Sequence, residues 1–183
     1  MNKRNEMIAG ASQVFEAGGF RGVGIDRVIA ACGASTRTLY KHFGSRDGLV
    51  LAVLEARHGT FMRQLSDSEA PDADPVGSLF DTLNGWIEEH GARGCMLLRA
   101  RSEYGQGNAE IVCLVDRQKR EFREEIATRV TNALGHDDPA LSTQIWVLFE
   151  GATAAASITG VPVIEYAKVA ALSLVAAAKT GPS

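Results

Sequence analysis

Apolar residues along this chain return at spacings of three and four rather than two, which predicts helices throughout and no strand. The first helix, about residues 2–17, carries Ile8, Ala11, Val14 and Phe15 on one side and stops at Gly18-Gly19. A short second helix, residues 25–32, ends at Gly33. Ser35 can cap a third helix whose Leu39 and Phe43 turn inward, and Ser45 can cap a fourth with Leu49, Val50, Val53, Leu54 and Phe61 along its apolar side. The polar, acidic, proline-bearing stretch from Ser66 to Pro75 reads as a connector. Beyond it a fifth helix, about residues 76–89, buries Leu79, Phe80, Leu83, Trp86 and Ile87. After a loop at 90–94, a sixth spans about residues 95–104. The longest periodic run, 108–134, sets Ile111, Leu114 or Val115, Gln118, Phe122, Ile126, Val130 and Leu134 on one stripe. Asp137 or Asp138 ahead of Pro139 opens the next helix, to about residue 159, and a final one runs over about 163–179. The expectation is an all-α protein of about nine helices.

The last two helices lack a polar face. Small residues, among them Gly151, Ala152, Ala155, Ala170 and Ala176, permit close approach of another helix. Such helices need cover on both sides. Either they form the centre of a monomer core or a second copy of the chain covers them; in a body this small a homodimer through these two helices is the stronger expectation.

Charge adds an asymmetry that the total hides. The net charge of the 183 residues is −3, yet residues 1–60 hold eight basic side chains against five acidic ones, which leaves the remainder with a net charge of −6. A basic head on an acidic body suits a protein that meets phosphate at one end only. The apolar share of 45% is that of a globular protein rather than a disordered one.

The chemistry of the head is concentrated between Ile25 and Phe43. Two short helices joined at Gly33, the second carrying Thr36, Arg37, Thr38, Tyr40, Lys41 and His42 on a mostly polar surface, are the construction of a helix-turn-helix, whose second helix enters the DNA major groove. Thr36, Arg37 and Thr38 stand at its N-terminal end, where side chains reach base edges, and Arg37 can pair bidentately with a guanine. Tyr40, Lys41 and His42 lie further along, toward phosphate. Ser35 opens the reading helix, and Arg46, at the start of the fourth helix, adds charge toward phosphate. Residues 1–46 are therefore the expected DNA-binding domain, with residues 47–183 as the body.

These residues resemble the TetR (tetracycline-repressor) family of bacterial transcriptional regulators. The likeness is carried by Phe15…Gly19-Phe20, Ile25-Asp-Arg-Val-Ile-Ala, Gly33-Ala-Ser-Thr-Arg-Thr-Leu-Tyr-Lys-His-Phe43 and Ser45-Arg-Asp-Gly-Leu49. In the body, Gly94-Cys95-Met-Leu-Leu-Arg-Ala with Glu103-Tyr104, and Asp138-Pro139…Gln144…Leu148-Phe-Glu-Gly151-Ala, are similar to one subgroup. The resemblance implies an N-terminal helix-turn-helix of three helices, a helical ligand-binding body, and dimerisation through the last two helices. It implies a repressor that binds a palindromic double-stranded operator and is released by a small-molecule effector. The chain departs from the pattern at Val23-Gly24, where Thr or Ser is common before the second helix, at Ala34 for Val, and at Arg46 for Lys. Gly48 also stands inside the fourth helix, at a cost of up to about 1 kcal/mol against Ala.

Candidate effector-pocket residues are Trp86, Cys95, Met96, Arg99, Tyr104, Arg117, Gln118, Phe122, Trp146, Phe149 and Glu150, an apolar set with a few polar groups. Aromatics at helical spacing also build plain core, and Arg99 and Glu103, four apart, can pair with each other. No enzyme is expected: His42, His58, His90 and His136 have no metal-ligand spacing, and no phosphate-binding glycine loop follows a strand. No metal or cofactor is expected either. The competing class is a helical carrier or enzyme that never meets DNA. Cys32, Cys95 and Cys113 have no close pairing and read as reduced thiols. The first residues lead into no apolar run, and Ile145–Val163 is too interrupted to span a membrane, so the expected compartment is the cytoplasm.

Overall fold

Five helix starts in the computed structural model, which describes residues 2–68 and 74–180, coincide with capping side chains. Among the described residues there are nine α-helices and no strand: α1 Lys3–Gly18, α2 Ile25–Ala31, α3 Thr36–Phe43, α4 Arg46–Asp67, α5 Gly77–His90, α6 Met96–Tyr104, α7 Ala109–Leu134, α8 Pro139–Thr159 and α9 Val163–Thr180. Asn2 accepts from the Arg4 amide at 3.0 Å, Ser35 from Thr38 at 3.2 Å, Ser45 from Gly48 at 2.8 Å, and Asn108 from Glu110 and Ile111. Each bond satisfies a backbone N–H that the helix itself leaves open. Of the two aspartates ahead of Pro139 it is Asp138 that caps α8, at 2.9 Å to the Leu141 amide. The expected connector is shorter than its composition implies, because α4 runs on to Asp67; its middle, 69–73, lies outside the described residues.

By packing, the chain divides into one unit of residues 1–60 with 96–118 and another of 61–95 with 119–183. The first unit has a core in which Met7, Ala11 and Phe15 of α1 meet Phe20, Val28, Leu39, Leu49, Val53 and residues of α6 and α7. Met7 occupies the inner position on α1, while Ile8 and Val14 pack only at its margin. Phe15 and Phe20 lie with ring centroids 5.2 Å apart.

The second unit is built on aromatic contacts. Phe122 and Phe149 approach to 4.7 Å, Phe61 lies 5.2 Å from Trp86 and 5.8 Å from Phe122, and Phe80 is 5.9 Å from Phe149. Tilted and edge-on rings at such distances add to the area they bury. Helix α9 packs along α8 and against α5. The inner face of α8 buries Leu141, Ile145, Phe149, Ala152 and Ala156. The opposite side of α8 leaves Val147, Gly151, Ala154 and Ile158 exposed at helical spacing, and α9 exposes Tyr166 and Val169.

One charge sits inside this unit. Arg129 of α7 is fully buried. Its guanidinium donates to the Ser78 hydroxyl at 2.6 Å, to the Leu65 carbonyl at 2.6 Å and to Glu125 at 2.6 Å. The fork of five N–H groups lets one side chain join the end of α4, the start of α5 and α7. Removing it takes a charged donor from the Leu65 carbonyl, which keeps the Ser68 hydroxyl, and from the Ser78 hydroxyl, which keeps the Pro75 carbonyl, and it takes from Glu125 the guanidinium it is paired with. Arg129→Met is expected to cost about 3–5 kcal/mol of unfolding free energy, read from the urea midpoint; a loss below about 1 kcal/mol would show that these bonds contribute little.

Candidate nucleic-acid interface

An eight-residue helix has too few internal bonds to persist in water unless its apolar side is anchored. Helix α3 is anchored by Leu39, which is fully buried, and by the partly buried Phe43. The turn before it depends on Gly33, whose φ of +54° is a conformation that L side chains rarely adopt. From outside the motif, the Lys3 ammonium donates to the Gly33 carbonyl at 2.8 Å, and the Arg4 guanidinium lies 5.3 Å from the Phe43 ring centroid. These two contacts brace the turn and the end of α3 against α1. They join residues about thirty or more apart in sequence, so motif spacing gives no sign of them.

With Leu39 and Phe43 inward, the polar side of α3 faces out. Ser35, Thr36, Arg37, Tyr40 and Lys41 are exposed, Tyr40 to 52%, while Thr38 and His42 are half-buried. The Ser35 hydroxyl also lies 2.9 Å from the Thr38 hydroxyl, so both are engaged in the cap. Arg37 and Lys41, one turn apart, present two cationic groups on the outward surface.

Arg46 is placed differently. Its guanidinium turns into the first unit, where it donates to the carbonyls of Phe20 and of Val23 (2.9 Å for the latter) and to the Tyr104 hydroxyl at 3.0 Å. Gly48, read from sequence as a tolerated weakness, is a requirement of packing. A β-carbon there would lie far inside the van der Waals contact distance to the Phe43 carbonyl oxygen.

The candidate effector residues separate between the two units. In the first, Met96, Tyr104 and Gln118 are buried, and Arg117 is an exposed partner of Glu55 at 3.8 Å. The Gln118 side-chain oxygen is buried without a hydrogen-bond partner among the described residues. Arg99 and Glu103 do not turn toward each other. Arg99 donates to the Glu16 carbonyl at 2.9 Å, whereas Glu103 accepts from the amides of Phe20 and Arg21.

In the second unit Phe122 and Phe149 belong to the aromatic core, and Trp86 stacks on His90 at 3.9 Å. Glu150 forms an ion pair with Lys119 and accepts from the Trp146 indole at 3.2 Å; Cys95 also bonds to Lys119. Burial opposes the charge on Lys119, but the Cys95 sulfur and the Glu150 carboxylate outweigh it and hold its pKa above the ordinary lysine value. A surface groove of about 360 Å³ lies between α7 and the start of α8, lined by Arg120, Arg123, Glu124, Ala127, Pro139, Ser142 and Thr143. It includes none of the sequence candidates.

Residues 7–53 match the family profile described as bacterial regulatory proteins, tetR family. The HTH-type transcriptional activator FasR of Mycolicibacterium smegmatis is 39% identical over 103 residues, which cover 52% of this chain and 45% of that protein, so the match spans less than half of the relative. A TetR-family transcriptional regulator from Streptomyces coelicolor superposes with a TM-score of 0.88 at 25% identity, covering 97% of this chain and 96% of its own. For a TetR transcriptional regulator from Chloroflexus aurantiacus the TM-score is 0.78 at 23% identity, covering 97% and 94%; this second likeness is one of fold. Among the described residues no helix is long and apolar enough to cross a membrane.

The Lys119 site has a consequence for stability at high pH. A raised folded pKa adds stability that is complete below the unfolded lysine value, about 10.4, and is lost as pH rises through the folded value. Tyr104, pushed up by burial and by Asp47 against the pull of Arg46, loses stability in the same alkaline direction. The Lys119 share is therefore read as the difference between wild type and Lys119→Met. Denaturation midpoints taken from about pH 9 to about pH 11.5 are expected to fall more steeply in wild type; parallel curves would mean that Lys119 gains no protonation on folding.

Proposed function

Since this chain belongs to the TetR family of bacterial regulatory proteins, we propose that it is a DNA-binding transcriptional regulator that reads a palindromic operator as a homodimer. Residues 1–46 are its DNA-binding domain and residues 47–183 its ligand-binding and dimerisation body. The observation that carries this reading is the outward face of α3. Thr36, Arg37, Tyr40 and Lys41 are exposed on a helix whose inner side is locked by Leu39. Thr36, Arg37 and Thr38 address base edges, and Tyr40, Lys41 and His42 address phosphate. Ser35 contributes by capping the reading helix. The inward bonds of Arg46 favour a supporting role over a phosphate contact for that residue.

One reading helix covers a few base pairs, so useful affinity needs two, held about 34 Å apart or a multiple of a helical turn. The apolar side of α8 through Val147 and Ile158, with Tyr166 and Val169 of α9, supports a second copy as the cover for these helices. A two-fold pair of such faces would be self-complementary.

A small-molecule effector binding the body would favour a conformer in which α4 is tilted and the two heads no longer fit the operator. The Glu150–Lys119–Cys95 group of the second unit supplies polar contacts of the kind that orient a ligand. Release by effector makes the protein a repressor. A second reading is favoured by one finding: the relative from M. smegmatis bears the name of an activator. In that case the same heads and the same operator geometry apply, and only the placement of the operator relative to the promoter differs.

Gel-shift titration of palindromic promoter fragments at several salt concentrations tests the reading. Wild type is expected to shift one fragment specifically. Lys41→Ala is expected to weaken binding about tenfold and to lower the slope of log affinity against log salt by roughly two, one phosphate from each protomer. A protein that shifts no fragment beyond random DNA, or a Lys41→Ala variant with wild-type affinity and slope, would contradict it.

A further inference from the structure

The segment 19–24, which delivers the chain into α2, has few means of holding itself. Gly19 takes a φ of +75°, Gly22 and Gly24 follow, and the N-terminus of α2 has no side-chain cap. Its backbone groups are nevertheless bonded, by side chains remote in sequence. Glu103 Oε2, on α6, accepts from the amides of Phe20 at 2.9 Å and Arg21 at 2.6 Å. Arg46, in the first turn of α4, donates to the carbonyls of Phe20 and Val23. The amide and the carbonyl of Phe20 are thus held by opposite charges from two helices.

Arg46 is itself held by a network that starts beside Glu103. Tyr104, adjacent to Glu103, accepts from Arg46 at 3.0 Å and donates to Asp47 at 3.3 Å. Asn108 donates to the other oxygen of Asp47 at 2.8 Å while its own side-chain oxygen caps α7. The Arg21 guanidinium lies 5.2 Å from the Tyr104 ring centroid, and that of Arg46 lies 5.5 Å from the Phe15 ring centroid. Bonds to charged groups are stronger than neutral ones, and a network satisfied at each member exceeds its parts taken singly.

We infer that Arg46 and Glu103 are a positioning pair for DNA reading: they grip segment 19–24 from α4 and α6 and so fix the helix-turn-helix relative to α6 and the start of α7. The inference rests on the DNA-binding reading for its consequence, but not for its geometry. It gives Arg46 a different task from the outward cations. Arg37 and Lys41 meet the operator, whereas Arg46 holds the frame on which they are mounted. The task also explains why the side chain is arginine. A lysine keeps the charge but is a single point donor, and cannot serve two carbonyls and a phenol in the fixed directions of a guanidinium fork.

The test uses the full-length protein with Arg46→Lys, Arg46→Met and Glu103→Ala, each checked for wild-type helicity. Two readouts are taken. The first is operator affinity as a function of salt. The positioning role predicts a loss of about tenfold in Glu103→Ala and in both Arg46 variants, with the salt slope unchanged, since no phosphate contact is removed. The second is amide hydrogen exchange without DNA. Phe20 and Arg21 are expected to exchange at least tenfold faster in Glu103→Ala, and amides of segment 19–24 faster in Arg46→Lys. Wild-type affinity in Arg46→Lys together with a slope reduced by roughly two in Arg46→Met would make Arg46 a phosphate ligand and overturn the proposal. So would unchanged exchange in Glu103→Ala. If the wild type binds no operator, the DNA reading fails, and the exchange result still decides whether the grip exists. Should Arg46→Met fail to fold, Glu103→Ala and Arg46→Lys decide.

Discussion

The whole arrangement depends on burying one leucine beneath a helix too short to stand alone. Helix α3 has eight residues, and nucleating a helix costs more than two turns of backbone bonds return. Burial of Leu39 contributes about 2–3 kcal/mol, and the same contact fixes the rotation of the helix about its axis. Once Leu39 faces the core, Thr36, Arg37, Tyr40 and Lys41 have only one direction left. In the proposed function, recognition chemistry follows from packing: the outward residues are free to suit DNA because the inward one carries the stability. The Ser35 cap, the Gly33 turn and the Lys3 bond each narrow the remaining freedom of the helix ends.

Arginine does two kinds of work in this molecule, separated by burial. Arg37 is solvated and available as a donor. Arg129 and Arg46 are turned inward, and each joins backbone carbonyls of segments that lack a regular hydrogen-bonding neighbour. Taking a guanidinium out of water is costly, and it is tolerated only where several acceptors converge in the plane of the fork. In Arg129 those acceptors come from the ends of α4 and α5, on either side of the connector. In Arg46 they come from the segment that leads into α2. Each arginine stands where the chain changes direction: Arg46 serves the carbonyls of segment 19–24, and Arg129 adds a charged donor to the Leu65 carbonyl that Ser68 also reaches.

Much of this was legible in the sequence because helix termini are local. Ser35, Ser45 and Asp138 announce their caps by residue type, and Gly33 ends α2 by a property of its own backbone. The amphipathic stripe of α7, down to the buried Gln118, follows from a period of 3.6. What stayed hidden were contacts between residues distant in sequence. Arg129 lies within the periodic run but carries a charge, so pattern alone leaves its burial unseen. Arg46 resembles a phosphate ligand until the carbonyls of Phe20 and Val23 are seen beside it. Arg99 and Glu103 have the spacing of a helical ion pair, yet each finds backbone partners near the end of α1. Gly48 reads as a cost, and the approach of the Phe43 carbonyl that demands it has no sequence signature.

The central claim is that the outward face of α3 lies in the major groove. Dimethyl sulfate methylates guanine N7, which is exposed in that groove and not in the minor one. Applied to an operator fragment bound by the full-length protein, it is expected to show guanines protected in two symmetric patches whose centres lie one helical turn, about 10 base pairs, or a whole multiple of it apart. Tight, specific binding with every guanine N7 methylated as in free DNA would contradict the account.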